Sequence, residues 1–278
     1  MEFAVADAHF HVWDPQTHYY PWLCDPQPIE FRYGDYSALR RRYLVEDYRA
    51  DTRGWQVRHG VYVEAEWDPD DPAGEMLFIE KIRRQTQFPT VAVAQAWLDR
   101  PDFAMVLDAH GRRGFVRGVR HKPRPGMMDD GRWRAGYRRL KLLGLHFELQ
   151  APWRQLDEAA RLARDFSDTL IVLNHAGLPS DSALPAWRSA LSVFAACPNT
   201  AIKISGLGTV TRKREVVLAT IELFGVERCM FASNFPVDGL CASFDAIYSG
   251  FDEMTRHFSD AERAALFHDN AFRIYRMK

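Results

Sequence analysis

Cysteine is scarce in this chain of 278 residues: four, Cys24, Cys197, Cys229 and Cys241, at spacings that match no metal-binding pattern. That scarcity argues against a disulfide framework or a thiolate zinc cluster, and a reduced, cytoplasmic setting fits best. An excess of one charge is also missing. Lys and Arg number 36 against 37 Asp and Glu, a formal net charge of -1, so no global field draws the chain to nucleic acid or an anionic membrane. The arginine clusters at 40–42, 83–84 and 138–139 lie in expected helices or loops and read as solvated faces. No uninterrupted apolar run approaches the ~18 residues of a membrane span. The start, Met-Glu-Phe-Ala-Val-Ala-Asp, has neither a basic opening nor a signal-peptide core, and no internal repeat stands out. What is present is a 47% hydrophobic, 26% charged composition, ordinary for a soluble globular protein with a substantial core. The length suits one domain over 1–278, such as a single α/β barrel of roughly 250 residues.

Eight β-type runs recur: Phe3–Asp7, Gly60–Glu64, Thr90–Trp97, Phe115–Arg120, Gly144–Leu149, Thr169–Asn174, Thr200–Ser205 and Cys229–Ser233. Several are apolar on both faces, as a parallel strand buried on both sides requires. Helical periodicity fills Gly74–Gln87, Asp102–His110, Arg132–Leu143, Trp153–Phe166, Leu184–Ala196 and Arg212–Phe224. Pro152, Pro101-Asp102 and Ser182 read as helix starts, and Ser259 with Glu262 as a capping box opening a last helix through about Tyr275. Strands alternating with helices predict a (β/α)8 TIM barrel. One segment breaks the rhythm. Val12–Gly54 is far longer than the usual ~2–6-residue βα connection and is rich in aromatics (Trp13, Trp22, Phe31, Tyr33 and Tyr43 among them). Placed after strand one, it predicts a lid that stacks on a ring-shaped substrate, or else a packed excursion touching no ligand.

His9 and His11 end the first run, and alternation along a strand puts them on one face. Barrel enzymes carry their reactive groups at strand C-termini, and other runs also end in polar side chains. Strand two gives Glu64, strand four Arg120 and His121, and strand five His146 and Glu148. Strand six gives His175, strand seven Lys203 and Ser205, and strand eight Asn234. Each has a plain structural alternative: His146 reads equally as a satisfied core histidine, Lys203 as a snorkelling cation, and Glu66 and His110 as surface residues. As a set they point to a site, because barrel packing does not demand His, Glu, Arg and Lys at one end.

Four motifs carry a family resemblance: Asp-Ala-His-Phe-His-Val-Trp at 7–13, Asn-His-Ala-Gly at 174–177, Lys-Ile-Ser-Gly-Leu at 203–207 and Ser-Asn-Phe-Pro-Val at 233–237. In order and spread, from about residue 5 to the C-terminus, the chain resembles the amidohydrolase superfamily. It is most similar to the amidohydrolase 2 branch, whose better-known members open sugar lactones or a pyrone dicarboxylate lactone. The resemblance implies a distorted (β/α)8 barrel and hydrolysis at a carbonyl carbon. By motif, His9 and His11 match the strand-one pair and His175 the strand-six histidine. Asn234 stands where the family has an aspartate that takes a proton from the attacking water, and an amide cannot do this. Three explanations stay open. Another group acts as base (Glu148, Glu64, His121 or Asp238), or hydrolysis is lost and binding kept, or the reaction tolerates a weaker base.

The resemblance also implies one divalent metal, zinc foremost, held by His9 and His11 with Glu148 or His175 as the third ligand; some lactonases of this branch work without metal. The function expected is hydrolysis of a small lactone, with His9, His11 and His175 as positive groups at the oxyanion and Glu148 as the acid. Arg120, His121, Arg124, Lys203, Glu64 and Trp13 are the expected substrate contacts. Two other readings remain: a decarboxylase of an unsaturated or aromatic carboxylate, and a hydrolytically disabled barrel that binds a metabolite. The expected partner is a small molecule, and exterior helices leave room for a homodimer.

Overall fold

A computed structural model describes residues 4–278. Eight parallel strands hydrogen-bond in sequence order: β1 (Val5–Phe10), β2 (Val57–Val63), β3 (Val91–Gln95), β4 (Val116–His121), β5 (His146–Leu149), β6 (Ile171–Leu173), β7 (Thr200–Ile204) and β8 (Cys229–Phe231). Helices lie between them, as in a (β/α)8 barrel. Each expected strand is present with shifted ends. The first runs to Phe10, so His9 lies within it, and the expected start at Phe3 falls outside the described residues. The second begins at Val57, three residues early.

The seam between β8 and β1 is closed by the backbone of the first and last motifs. Asn234 N–H donates to the His9 carbonyl (2.8 Å) and His11 N–H to that of Phe235 (2.7 Å). Asp7 latches the seam: its carboxylate accepts from Ser233 N–H (2.8 Å), Ser233 Oγ (2.6 Å) and Tyr48 Oη (2.7 Å).

Alternation along the strands sorts residues by layer. Ala6, Ala8, Val61, Val63, Val91, Val93, Val172 and Ala201 fill a narrow inner core, while Tyr62, Phe147, Ile171, Ile202 and Phe231 belong to the cluster under the helices. The same period sets Gln95 two residues beyond Val93, Arg120 beyond Gly118 and Lys203 beyond Ala201. Small residues thus occupy the lower layers and polar ones the upper. Ala271, Tyr275 and Met277 of the closing segment join the inner core.

The expected helices are present, and the Ser259–Glu262 capping box forms as read. Two of the expected starts differ. Ser182 does not cap; its hydroxyl pairs with Ser180, and Ala183 precedes the helix. Asp102 sits at the N-cap position of Phe103–Gly111 without a side-chain cap, because its carboxylate takes Arg100. Helices not read from the sequence include the short Pro21–Cys24, Val45–Asp51 and Phe244–Met254. His110 is not a surface residue; it is fully buried, its Nε2 3.0 Å from the Gln95 carbonyl. Among the described residues no helix is long and apolar enough to cross a membrane.

The long segment after β1 lies over the barrel mouth as packed structure. Trp13 and Tyr43 exchange both backbone hydrogen bonds (2.8 and 2.9 Å), and Trp13, Tyr20, Trp22, Tyr36, Tyr43 and Tyr48 are buried. Trp13, Trp22 and Phe31 of this segment also wall a cavity.

Candidate functional site

His9 and His11 converge as alternation predicts: their Nε2 atoms are 3.2 Å apart. The β1–β2 register shifts between Asp7 and Phe10, around His9, an irregularity typical of strands beside active sites. His11 Nδ1 donates to the Val63 carbonyl at 2.8 Å. A carbonyl only accepts, so Nε2 of neutral His11 carries the lone pair and the facing N–H belongs to His9. His9 Nδ1 then has no partner among the described residues.

His175 follows β6, its ring centroid 4.6 Å from that of His9 and its Nδ1 2.9 Å from Ser205 Oγ. Its φ is +55°, and that of Asn234 is +56°. Non-glycine residues held there cost of order 1–3 kcal/mol, and such strain concentrates at functional sites. Gly206 makes room for His175: a Cβ there would lie 2.5 Å from His175 Nδ1 and 2.7 Å from Arg32 Nη2.

All three imidazoles are buried, and burial is the main cause that holds them neutral. Lys203 and the other two histidines add to it at His9, Arg120 at His11, and Arg32 and Arg120 at His175. His11 is pushed down to about 3. This corrects the expectation of positively charged histidines. Their chemistry in this environment is that of neutral donors and acceptors.

Asn234 is held by Asp238, whose Oδ1 accepts from Asn234 Nδ2 (2.7 Å) and Tyr33 Oη (3.0 Å). Burial pushes the Asp238 carboxyl up to about 6, against the pull of Arg32 at 3.9 Å and of these hydrogen bonds. Arg120 is tied to Glu64 through Nε and to Gln150 Oε1 through Nη1 (2.8 Å). Burial raises the Glu64 carboxyl, but Arg120 and Lys122 outweigh it and hold it below its ordinary value. His11, His175, Asn234, Arg120, Gln150 and Trp13 then face one cavity of about 290 Å³ at the C-terminal mouth of the barrel.

Glu148 and Lys203 form a fully buried pair (Oε2 to Nζ 2.9 Å) and line no cavity described here. His146 and Tyr275 Oη also contact the Glu148 carboxylate, and Asn174 donates to it. Burial raises Glu148, yet Lys203, His146 and Tyr275 bring it down to about 2; burial lowers Lys203 to about 8 against the pull of Glu148. Both are charged at neutral pH.

The Amidohydrolase family model matches residues 6–277, nearly the whole chain. The chain belongs to the amidohydrolase family. It is 40% identical to the uncharacterized protein y4mH of Sinorhizobium fredii, over 99% of each chain. It is 27% identical to an L-fucono-1,5-lactonase of Burkholderia multivorans, over 97% of this chain and 95% of that one. A crystal structure of an amidohydrolase from Burkholderia multivorans with bound zinc superposes with a TM-score of 0.85, at 26% identity, over 99% of this chain and 100% of that chain.

That zinc makes the donor set of this amidohydrolase worth testing. Two Nε2 atoms 3.2 Å apart match two adjacent ligands of a tetrahedral ion with Zn–N of ~2.0–2.1 Å, and the His11 Nδ1–Val63 contact is the outer support such a ligand needs. The third ligand of a catalytic centre is not assembled. Glu148 is committed to Lys203, the strand-eight position is an amide, and among the described residues no three His, Cys, Asp or Glu side chains are arranged to hold an ion. The residues fit part of a zinc site: two imidazoles and the outer support of one of them.

The other sequence-read contacts divide. Glu64 and His121 line an adjoining chamber with Arg120. His121 Nδ1 accepts from Trp133 Nε1 (3.0 Å), and burial holds the ring down to about 4, so its Nε2 carries the proton. Arg124 is exposed and lines neither chamber. Sequence reading missed Gln95, Gln150, Lys122 and Arg32 at the mouth. Gln95 and Gln150 were findable as polar residues closing apolar runs, whereas Arg32 arrives from the long segment without a motif. Glu66, read as a surface residue, lines both chambers and pairs with Lys122.

Proposed function

We propose that this amidohydrolase opens a small lactone, a sugar-acid lactone or a carboxylated ring lactone, by adding water to the carbonyl carbon. The observation that carries the reading is the convergence of His11, His175, Asn234 and Arg120 on one cavity. The lactonase name of a relative aligned over nearly the full length supports it.

Asn234, its amide oriented by Asp238, holds the attacking water beside the His9–His11 pair. Arg120 and His175 meet the charge that grows on the carbonyl oxygen. The water proton passes to the His9–His11 pair as the oxygen bonds to carbon. The ring C–O bond then breaks, and the same proton returns to the leaving oxygen. A base as weak as a buried imidazole gives the proton up readily, and an activated ester does not need a stronger one. Glu148 supplies no acid in this scheme, because its carboxylate is spent on Lys203. Arg32 and Lys122, at the rim of the cavity, suit a substrate carboxylate or hydroxyls.

Proton release by the wild-type protein over a panel of sugar-acid and pyrone lactones tests this. Opening of at least one of them with kcat/KM of about 10⁴ M⁻¹ s⁻¹ or more is expected. No lactone opened above its uncatalysed rate would overturn the reading, and carbon dioxide released from aromatic carboxylates would replace it with decarboxylation.

A further inference from the structure

Beside the cavity at the histidines lies a second chamber of about 310 Å³. The two share Trp22, Ile29, Glu66, Arg120 and Lys122 as walls, so they lie side by side at the barrel mouth. Either chamber alone sits at the lower end of the ~300–1,000 Å³ usual for ligand pockets, and both together lie well inside it. A single lactone ring at His11 and His175 leaves the second chamber unused.

We infer that the substrate carries two rings: the lactone at the histidines and a polyhydroxylated second ring, a sugar unit, in the adjoining chamber. This rests on the lactonase reading and narrows its substrate class. Trp22, Trp67 and Trp97 are among the walls of this chamber, and aromatic walls suit the apolar C–H face of a sugar. Its edge needs both donors and acceptors, and Gln95, Arg120 and Lys122 stand among the walls. Gln95 Oε1 and Trp67 Nε1, buried beside the chamber, have no hydrogen-bond partner among the described residues, a condition that buried polar atoms rarely keep. His121, with Nδ1 accepting from Trp133, presents Nε2–H. An aromatic second ring would satisfy the tryptophans and leave these polar atoms unpaired. A second carboxylate would meet Asp25, Glu64 and Glu66. A neutral ring bearing hydroxyls answers both conditions.

The test compares gluconolactone with cellobionolactone, maltobionolactone and lactobionolactone by proton release, in wild type and Trp97→Ala. The better two-ring lactone should exceed gluconolactone at least tenfold in kcat/KM, and Trp97→Ala should shrink that ratio to about twofold. Gln95→Leu gives the same reading should Trp97→Ala fail to fold. Gluconolactone opened as fast as every two-ring lactone, or a ratio untouched by both variants, overturns the inference. Should none of the four be opened, the lactonase reading is decided by the wider panel that includes pyrone lactones, and calorimetry decides the second chamber separately. Cellobionate bound at least tenfold more tightly than gluconate, with the difference lost in the variant, upholds the sugar subsite. Equal affinities, or binding of neither, overturn it.

Discussion

Asp238 shows how one buried carboxylate does work that the strand-eight amide cannot do alone. Ionised, it accepts from Asn234, Tyr33 and the Gly208 N–H, and so fixes which end of the amide is free for the cavity. Burial raises its pKa from 3.8 to about 6, so the folded protein holds this proton more tightly than the unfolded chain does. The associated stability is fully present below pH 4 and is lost as pH rises through 6, a swing of about 3 kcal/mol at ~1.4 kcal/mol per pKa unit. Activity runs the other way, because protonation removes the acceptor that holds Asn234. Asp238→Asn should lower kcat by roughly tenfold to a hundredfold at pH 7.5 and abolish the acid limb near pH 6. Its melting temperature should rise relative to wild type between pH 4 and pH 7. A variant that keeps the limb would show that another group sets it. Asp238 was legible in the sequence only as one of several candidate bases. Its partnership with Asn234 needs the turn after β8, and its contact with Tyr33 joins residues 205 positions apart.

Strands were easier to read than what crosses between them. Burial on both faces leaves continuous runs such as Ile171–Leu173 and Thr200–Ile204, and local sequence carries that signal. The helix Phe244–Met254 went unread although its local signal is clear, with Ser243 capping it and Phe244, Ile247, Tyr248, Phe251 and Met254 buried at helical spacing. The helix Val45–Asp51 was masked by the aromatics around it, although Asp47 reaches back to the Leu44 N–H (2.8 Å). The Glu148–Lys203 pair joins β5 to β7, with Tyr275 reaching in from the closing segment, and nothing local announces it. Here lies the sharpest difference from the sequence reading, which placed both side chains at the substrate. Glu148→Gln would leave Lys203 buried beside a neutral amide, a loss of about 3–5 kcal/mol, or roughly 10 °C in Tm for a chain of this size. Glu148 is lowered from 4.5 to about 2, so its contribution is complete above pH 4.5 and fades as pH falls through 2. The variant and wild type should therefore converge in acid. Thermal melts at pH 7 and pH 3 check this, and an unchanged Tm at pH 7 would contradict it.

At the scale of the molecule, the barrel gathers chemistry from every part of the chain. His11 lies beyond β1, Arg120 in β4, Gln150 beyond β5, His175 beyond β6 and Asn234 beyond β8, and Trp22 and Phe31 roof them from the long segment. No stretch of sequence contains the site. It exists because closure of the β8–β1 seam sets Asn234 against His9, with a 2.8 Å hydrogen bond between their backbones. In the proposed reaction, neutral imidazoles on opposite sides of this ring act on one bound carbonyl. The most direct measurement is kcat/KM for the best lactone with wild type, His11→Ala and His175→Ala, each verified as folded by its melting temperature. Each variant should fall by about 10²–10³-fold with Tm within a few degrees of wild type. Folded variants that open the lactone within threefold of the wild-type rate would contradict it.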